Sequence, residues 1–183
     1  MPRLSPVLDP TDLPEAELRA AILDGELFAF RDGYCPIDEI EGTRHRAMTL
    51  ARTLPPKVIV ERRTAAWVLG LGQAPPSPLE ACTDIAARTR IAPVSGLTVR
   101  EVVIDPDECL TIDGLRITTP LRTAIDLART EEAFGAPERE LVGGLALLGR
   151  FGFEDCVAAI DARRNLPNKH LAIERLAAIE HAL

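Results

Sequence analysis

A chain of 183 residues, 46% of them hydrophobic, suits one domain or one domain with a small appendage. At that size about 70% of the unfolded surface is buried on folding, so neither a disulfide nor a structural metal is needed. The net charge of −7 argues against a protein that coats nucleic acid over its whole surface.

Residues 1–12 hold three prolines and little apolar pattern, and read as a loose arm. Leu13 to Asp24 is a predicted helix, with Asp12 as cap, Pro14 at its first position and Leu18, Ala21 and Ile22 on one face. Gly25 ends it. Residues 26–30 then read as a strand, Arg31-Asp32-Gly33 as a turn, and residues 34–37 as a returning strand. A helix followed by a small hairpin is the second half of a winged-helix module; the same pattern also describes an edge that only packs.

Thr43 to Leu54 is the next predicted helix. Ala47, Leu50, Ala51 and Leu54 form its buried stripe, with Arg44, Arg46, Thr49, Arg52 and Thr53 on the other face. Pro55-Pro56 stops it. Val58-Ile59-Val60 is a compact apolar run suited to a buried strand. Thr64 caps a short helix from Ala65 to Leu69, ended by Gly70 and Gly72, and Trp67 on it reads as core. Residues 79–88 and 97–104 are the next strands, followed by a turn at Asp105-Pro106-Asp107.

Ile112 to Arg129 organises the rest. Asp113-Gly114 is a tight turn, and Leu115 to Thr118 alternates as a half-buried strand. Thr119 is a helix cap with Pro120 at the first helical position. Leu121, Ala124, Ile125 and Ala128 follow as a core-facing stripe. Arg122 and Asp126, four apart, read as a surface pair of a few tenths of a kcal/mol. Helices over residues 136–148, 153–163 and 168–183 complete the chain.

Chemical motifs are sparse. The cysteines, Cys35, Cys82, Cys109 and Cys156, form no CxxC pair and read as reduced thiols of a cytoplasmic protein. No apolar stretch approaches about 18 residues and no basic start precedes an apolar run, so neither membrane spanning nor secretion is expected. His45, His170 and His181 lack metal-ligand spacing, so no metal or cofactor is expected. No nucleophile elbow or phosphate loop is present, and Asp105, Asp107 and Glu108 read as a solvated turn. The charge is uneven: residues 1–41 carry net −7, residues 42–64 net +5, and the remainder net −5. Arg44, Arg46, Arg52, Arg62 and Arg63 in the basic segment are candidate phosphate contacts for DNA. The alternative is a solvated face paired with the acidic arm.

Three stretches together resemble one family. ITTPLRTAIDLAR (residues 117–129) is similar to the "hydrophobic-Thr-Thr/Ser-Pro-x-Arg-Thr-x-x-Asp-Leu-Ala" signature of AbiEi-type antitoxins of abortive-infection, type IV toxin–antitoxin systems, in their actinobacterial branch. Thr119, Pro120, Arg122, Thr123 and Asp126 carry it. RTAAWVLGL (residues 63–71) resembles the family's Ser/Thr-Ala-Ala-x-x-hydrophobic-Gly-Leu element. LDGELFAFRDGY (residues 23–34) resembles the hairpin closing its N-terminal winged helix. Order and spacing match across roughly residues 13–130. The resemblance implies a cytoplasmic, non-enzymatic antitoxin and transcriptional regulator that binds its own promoter and opposes a nucleotidyltransferase-like toxin. Only one helix and a hairpin fit before Thr43, where the family normally has further helices. The C-terminal endonuclease domain of many actinobacterial relatives finds no room, so nuclease activity is not carried over.

The expected fold is therefore α/β in the mixed α+β sense, with a central mixed sheet, flanking helices and a helical C-terminus. A truncated winged-helix-like module is expected over residues 1–42 and an AbiEi-like domain over residues 43–183. The alternatives to a DNA-binding regulator are a protein-interaction module with a vestigial winged helix and a degenerate nuclease relative.

Overall fold

The computed structural model describes residues 7–30, 33–37, 42–87 and 91–180. The expected turn residues Arg31 and Asp32, the end of the expected 79–88 strand and His181 lie outside them. The chain divides into two compact units, Met1–Pro56 with Ile112–Leu115, and Lys57–Thr111 with Arg116–Leu183. One boundary between these units falls after Pro56, at the proline pair that stops the second helix.

In the first unit, helix α1 (Glu15–Leu23) precedes an antiparallel hairpin of β1 (Leu27–Phe30) and β2 (Gly33–Pro36), paired from Leu27↔Pro36 to Phe30↔Gly33. Pro14 occupies the cap position instead of the first helical turn. Asp12 does not cap α1; its carboxylate accepts from the Asp9 amide at 3.0 Å and from Arg52. Leu18 is fully buried and joins Leu8, Leu27, Leu13, Ala21, Ile22 and Tyr34 in a small core. The arm is not loose throughout. Leu8 and Tyr34 exchange backbone hydrogen bonds of 2.8 and 2.9 Å, adding a one-residue bridge to the hairpin edge. Helix α2 (Thr43–Thr53) buries Ala47 and Leu50 as its spacing predicts. It also buries Thr49, expected on the polar face, whose hydroxyl donates to the His45 carbonyl at 2.9 Å.

The second unit is built on a five-stranded mixed sheet. Its strands are β3 (Ile59–Val60), β4 (Leu79–Asp84), β5 (Leu97–Val102), β6 (Cys109–Ile112) and β7 (Leu115–Thr118), in the order β5-β4-β3-β7-β6. The short central strand β3 runs antiparallel to β4 and parallel to β7, with Val60 opposite Ile117. Both its residues are fully buried, as expected for an apolar run covered on both faces. Strand β6, for which the sequence offered no expectation, forms the edge beside β7.

Helix α3 (Arg62–Val68) starts directly after β3, three residues earlier than expected, and Trp67 is core. Thr64 is not its cap; that hydroxyl accepts from the Glu80 amide at 2.8 Å and ties α3 to β4. Helices α4 (Pro120–Thr130), α5 (Ala136–Gly149), α6 (Phe153–Asp161) and α7 (Lys169–Glu180) follow close to their predicted spans. Ala124, Ile125, Leu127 and Ala128 of α4 pack with Val142, Leu145, Cys156, Ile160, Ala172 and Leu176 in the main core. Arg175 of α7 donates to the Ala128 and Glu131 carbonyls at 2.9 and 2.8 Å, satisfying orphan acceptors at the end of α4.

Candidate functional site: an arginine-lined cleft

Helix α4 begins as its sequence dictates. Thr119 is the cap, its hydroxyl accepting from the Arg122 amide at 3.3 Å, and Pro120 stands where no amide hydrogen is needed. Thr123 and Thr118 share a buried hydroxyl–hydroxyl bond of 2.7 Å, which fixes the helix start on β7. An apolar stripe alone would leave the opposite face to solvent. Instead, every residue from Arg122 to Arg129 is buried.

The second buried face is ionic. Arg122 and Asp126, expected to pair at the surface, are 3% and 0% exposed and bond at 2.8 Å. Asp126 Oδ2 also lies 3.3 Å from Arg100 Nη2, while Oδ1 accepts from Arg129 Nη1 at 2.6 Å. One carboxylate thus serves three guanidinium groups. Arg100, on β5, makes a two-pronged pair with fully buried Glu61 at 2.6 and 2.7 Å. Arg122 reaches Glu108 at 2.7 Å and the Val103 carbonyl, and Arg163 also donates to Glu108. Glu108 is therefore an ion-pair partner, not a member of a merely solvated acidic turn.

Burial opposes charge throughout this network, with opposite outcomes. For Arg100 and Arg122 the desolvation is outweighed by neighbouring carboxylates, Glu61 and Asp126 for the first, Asp126 and Glu108 for the second. Both pKa values are raised. For Arg129, burial together with repulsion from Arg100 and Arg122 outweighs Asp126, and the pKa is lowered. These side chains border a cleft of about 430 Å³ in the second unit, lined by Arg100, Arg122, Arg129, Arg163, Arg164 and the apolar Val102, Val103, Leu166 and Pro167.

The expected basic segment is arranged differently. Arg44, Arg46 and Arg52 belong to the first unit, Arg62 and Arg63 to the second. Arg44 pairs with Asp113 at 2.9 Å, and Arg52 with Asp9 and Asp12 at 2.8 and 2.9 Å. Arg62 lies 3.2 Å from Glu61 and 3.3 Å from Glu80, and Arg63 bonds Glu131 and Glu138 at 2.8 and 2.6 Å. At least four of the five candidate phosphate contacts thus have a carboxylate partner, and of these only Arg52 is paired with carboxylates of the acidic arm. Arg44 is nevertheless 71% exposed.

Arg100, Arg129, Arg163, Glu61 and Glu108 were not among the residues expected from the sequence. Arg129 had a signal: Arg122, Asp126 and Arg129 stand at i, i+4 and i+7 and share one helix face. Arg100 and Glu61 had none.

Comparison with known proteins gives this geometry a family. No curated protein matches. The crystal structure of RV2827C protein from Mycobacterium tuberculosis aligns over 97% of this chain and 72% of that one, at 17% identity and a TM-score of 0.49. The model of the AbiEi antitoxin C-terminal domain matches residues 58–149, the stretch holding β3 through α5 and most of the ionic network. The chain belongs to the AbiEi antitoxin C-terminal domain family.

Proposed function

We propose that the protein is a non-enzymatic, cytoplasmic antitoxin-type regulator that binds DNA through its first unit and opposes a nucleotidyltransferase-like toxin. The family match over residues 58–149 supports the antitoxin part of this reading, and the exposed Arg44 on α2 supports the DNA contact. In the second unit the best-buried carboxylates, Glu61 and Asp126, are tied to arginines, an arrangement suited to holding a fold. DNA contact is centred on α2, where the Arg44 side chain is 71% exposed and Arg46 stands two residues on, against 14–37% for Arg52, Arg62 and Arg63. Each lost phosphate contact weakens binding on any sequence and flattens its salt dependence.

The test is mobility retardation of the protein's own upstream duplex between about 50 and 200 mM salt. Retardation at low salt, weakened by the double change Arg44→Glu and Arg46→Glu, supports the reading. No retardation at low salt overturns it. A second reading, an interaction module that contacts only proteins, is favoured by the carboxylate partners already present on four arginines. Rescue of growth on co-expression with a nucleotidyltransferase-type toxin, without DNA retardation, would select it.

A further inference from the structure

The arginine-lined cleft has donors that the protein does not use. Arg100 commits Nε and Nη2 to Glu61 and Asp126, leaving Nη1 without an acceptor among the described residues. Arg129 commits Nε to the Pro167 carbonyl and Nη1 to Asp126, leaving Nη2, although the side chain is only 8% exposed. Arg164, on the same wall, has no ion pair or hydrogen bond among the described residues. Arg164 is exposed and the Arg100 side chain is 27% exposed, so these unused donors are reachable by an acceptor-rich guest.

The five arginines here are matched in number by five carboxylates, Glu61, Glu101, Asp105, Glu108 and Asp126, so it is the unused donors rather than net charge that select the guest. Both oxygens of Asp126 are already taken by three arginines, and Arg129 is a cation that its surroundings disfavour. Glu101 and Asp105 also border the cleft, but both are solvent-exposed, and Asp105 lies 3.5 Å from Arg163. A carboxylate guest would offer one charge and two oxygens. A phosphoryl group offers nearly two charges and three oxygens, a better match to three guanidinium groups. The volume of about 430 Å³ falls in the range of small-molecule sites, about 300–1,000 Å³. A bare phosphate would leave Val102, Val103, Leu166 and Pro167 uncovered.

We propose that this cleft binds a small organic phosphate monoester, its phosphoryl group on Arg100, Arg129 and Arg164 and its body against Val102, Val103, Leu166 and Pro167. This site is separate from DNA contact by α2 and does not depend on it.

Titration calorimetry on the full chain tests it, with adenosine 5′-monophosphate and ribose 5-phosphate as probes and inorganic phosphate and adenosine as comparisons. Saturable binding of at least one monoester is expected, about tenfold tighter than inorganic phosphate, with none for adenosine. Arg164→Glu, which removes no internal partner, should weaken the ester by about tenfold or more while leaving the melting curve unchanged. Three results would overturn the proposal: no saturable ester binding, esters bound no better than inorganic phosphate, or an Arg164→Glu variant that binds as before. Displacement of the bound ester by unphosphorylated duplex DNA would assign the cleft to nucleic acid and overturn it as well.

Discussion

Replacing Asp126 with Asn tests whether the second unit rests on its buried charge. The change is nearly isosteric, so packing is kept, but the carboxylate shared by Arg100, Arg122 and Arg129 is lost. The new amide also presents an N–H to side chains that can only donate. Arg122 and Arg129 would remain buried. Among the described residues, Glu108 is then the one other carboxylate in contact with Arg122, and none touches Arg129. Breaking a buried pair from one side costs about 3–5 kcal/mol. For a chain of this length that corresponds to a melting point roughly 6–20 °C lower. The control is Glu15→Gln, which removes an exposed i, i+4 pair with Arg19 and should cost only a few tenths of a kcal/mol. Urea denaturation followed by circular dichroism measures both. Equal midpoints for the two variants would show that the ionic face contributes no more than a surface pair, and the description of α4 as buried on two chemically different faces would fail.

Two glycines of α5 should respond in opposite directions to alanine. A Cβ at Gly149 would stand 2.8 Å from the Phe151 ring and 2.9 Å from Pro120 Cβ, so Gly149→Ala should destabilise by about 1–3 kcal/mol. At Gly143 a Cβ meets nothing within 4 Å, and alanine there should stabilise by about 0.5–1 kcal/mol; the same sign for both in urea melts would contradict the packing. Thr119→Ala should cost about 1 kcal/mol through loss of the cap, and an unmoved urea midpoint would remove that role. For Glu138, burial raises the pKa but the Gly135 and Glu138 amides and Arg63 prevail, and the folded value lies below normal. Its contribution is therefore present above the unfolded value of about 4.3 and lost as pH falls through the lower folded one, so Glu138→Gln should flatten the acid limb of stability against pH. An acid limb as steep as the parent's would contradict this. Burial pushes the Cys156 thiol up to about 11 and Cys82 higher still, and Cys35 is fully buried. At pH 8 iodoacetamide should therefore reach half-buried Cys109 first; mass-spectrometric detection of an earlier adduct on any of the other three would refute that order.

Much of the fold was legible because short-range chemistry wrote it. The start of α4 follows from Thr119-Pro120, its apolar face from the 3.6-residue period, and the end of α2 from Pro55-Pro56. Strand β6 was not legible, since it is a four-residue edge whose central positions are exposed and which therefore shows no alternation. The two misplaced caps, Asp12 and Thr64, share one cause. Each side chain found a partner beyond its own helix, Arg52 for one and the Glu80 amide for the other, and such competition is invisible locally. The cleft was hidden for the same reason. Arg100 meets Glu61 across 39 residues, and nothing in a Val-rich strand announces that its one arginine turns toward a buried carboxylate. The partners of the basic segment were equally hidden, because a run of like charges in sequence does not reveal the carboxylates that the chain brings to it.

The sheet's central strand has a consequence for synthesis. β3 is only two residues long and lies between partners made later, β4 and then β7, whose pairing joins Val60 to Ile117. While the chain emerges from its N-terminus, β3, β4 and β5 can assemble first, leaving one flank of β3 with its backbone groups open to any passing strand. Only the arrival of residues 115–118 closes that flank. Production of this protein is therefore most exposed to aggregation in the interval between those two events, and slowing elongation there would lengthen the hazard rather than relieve it.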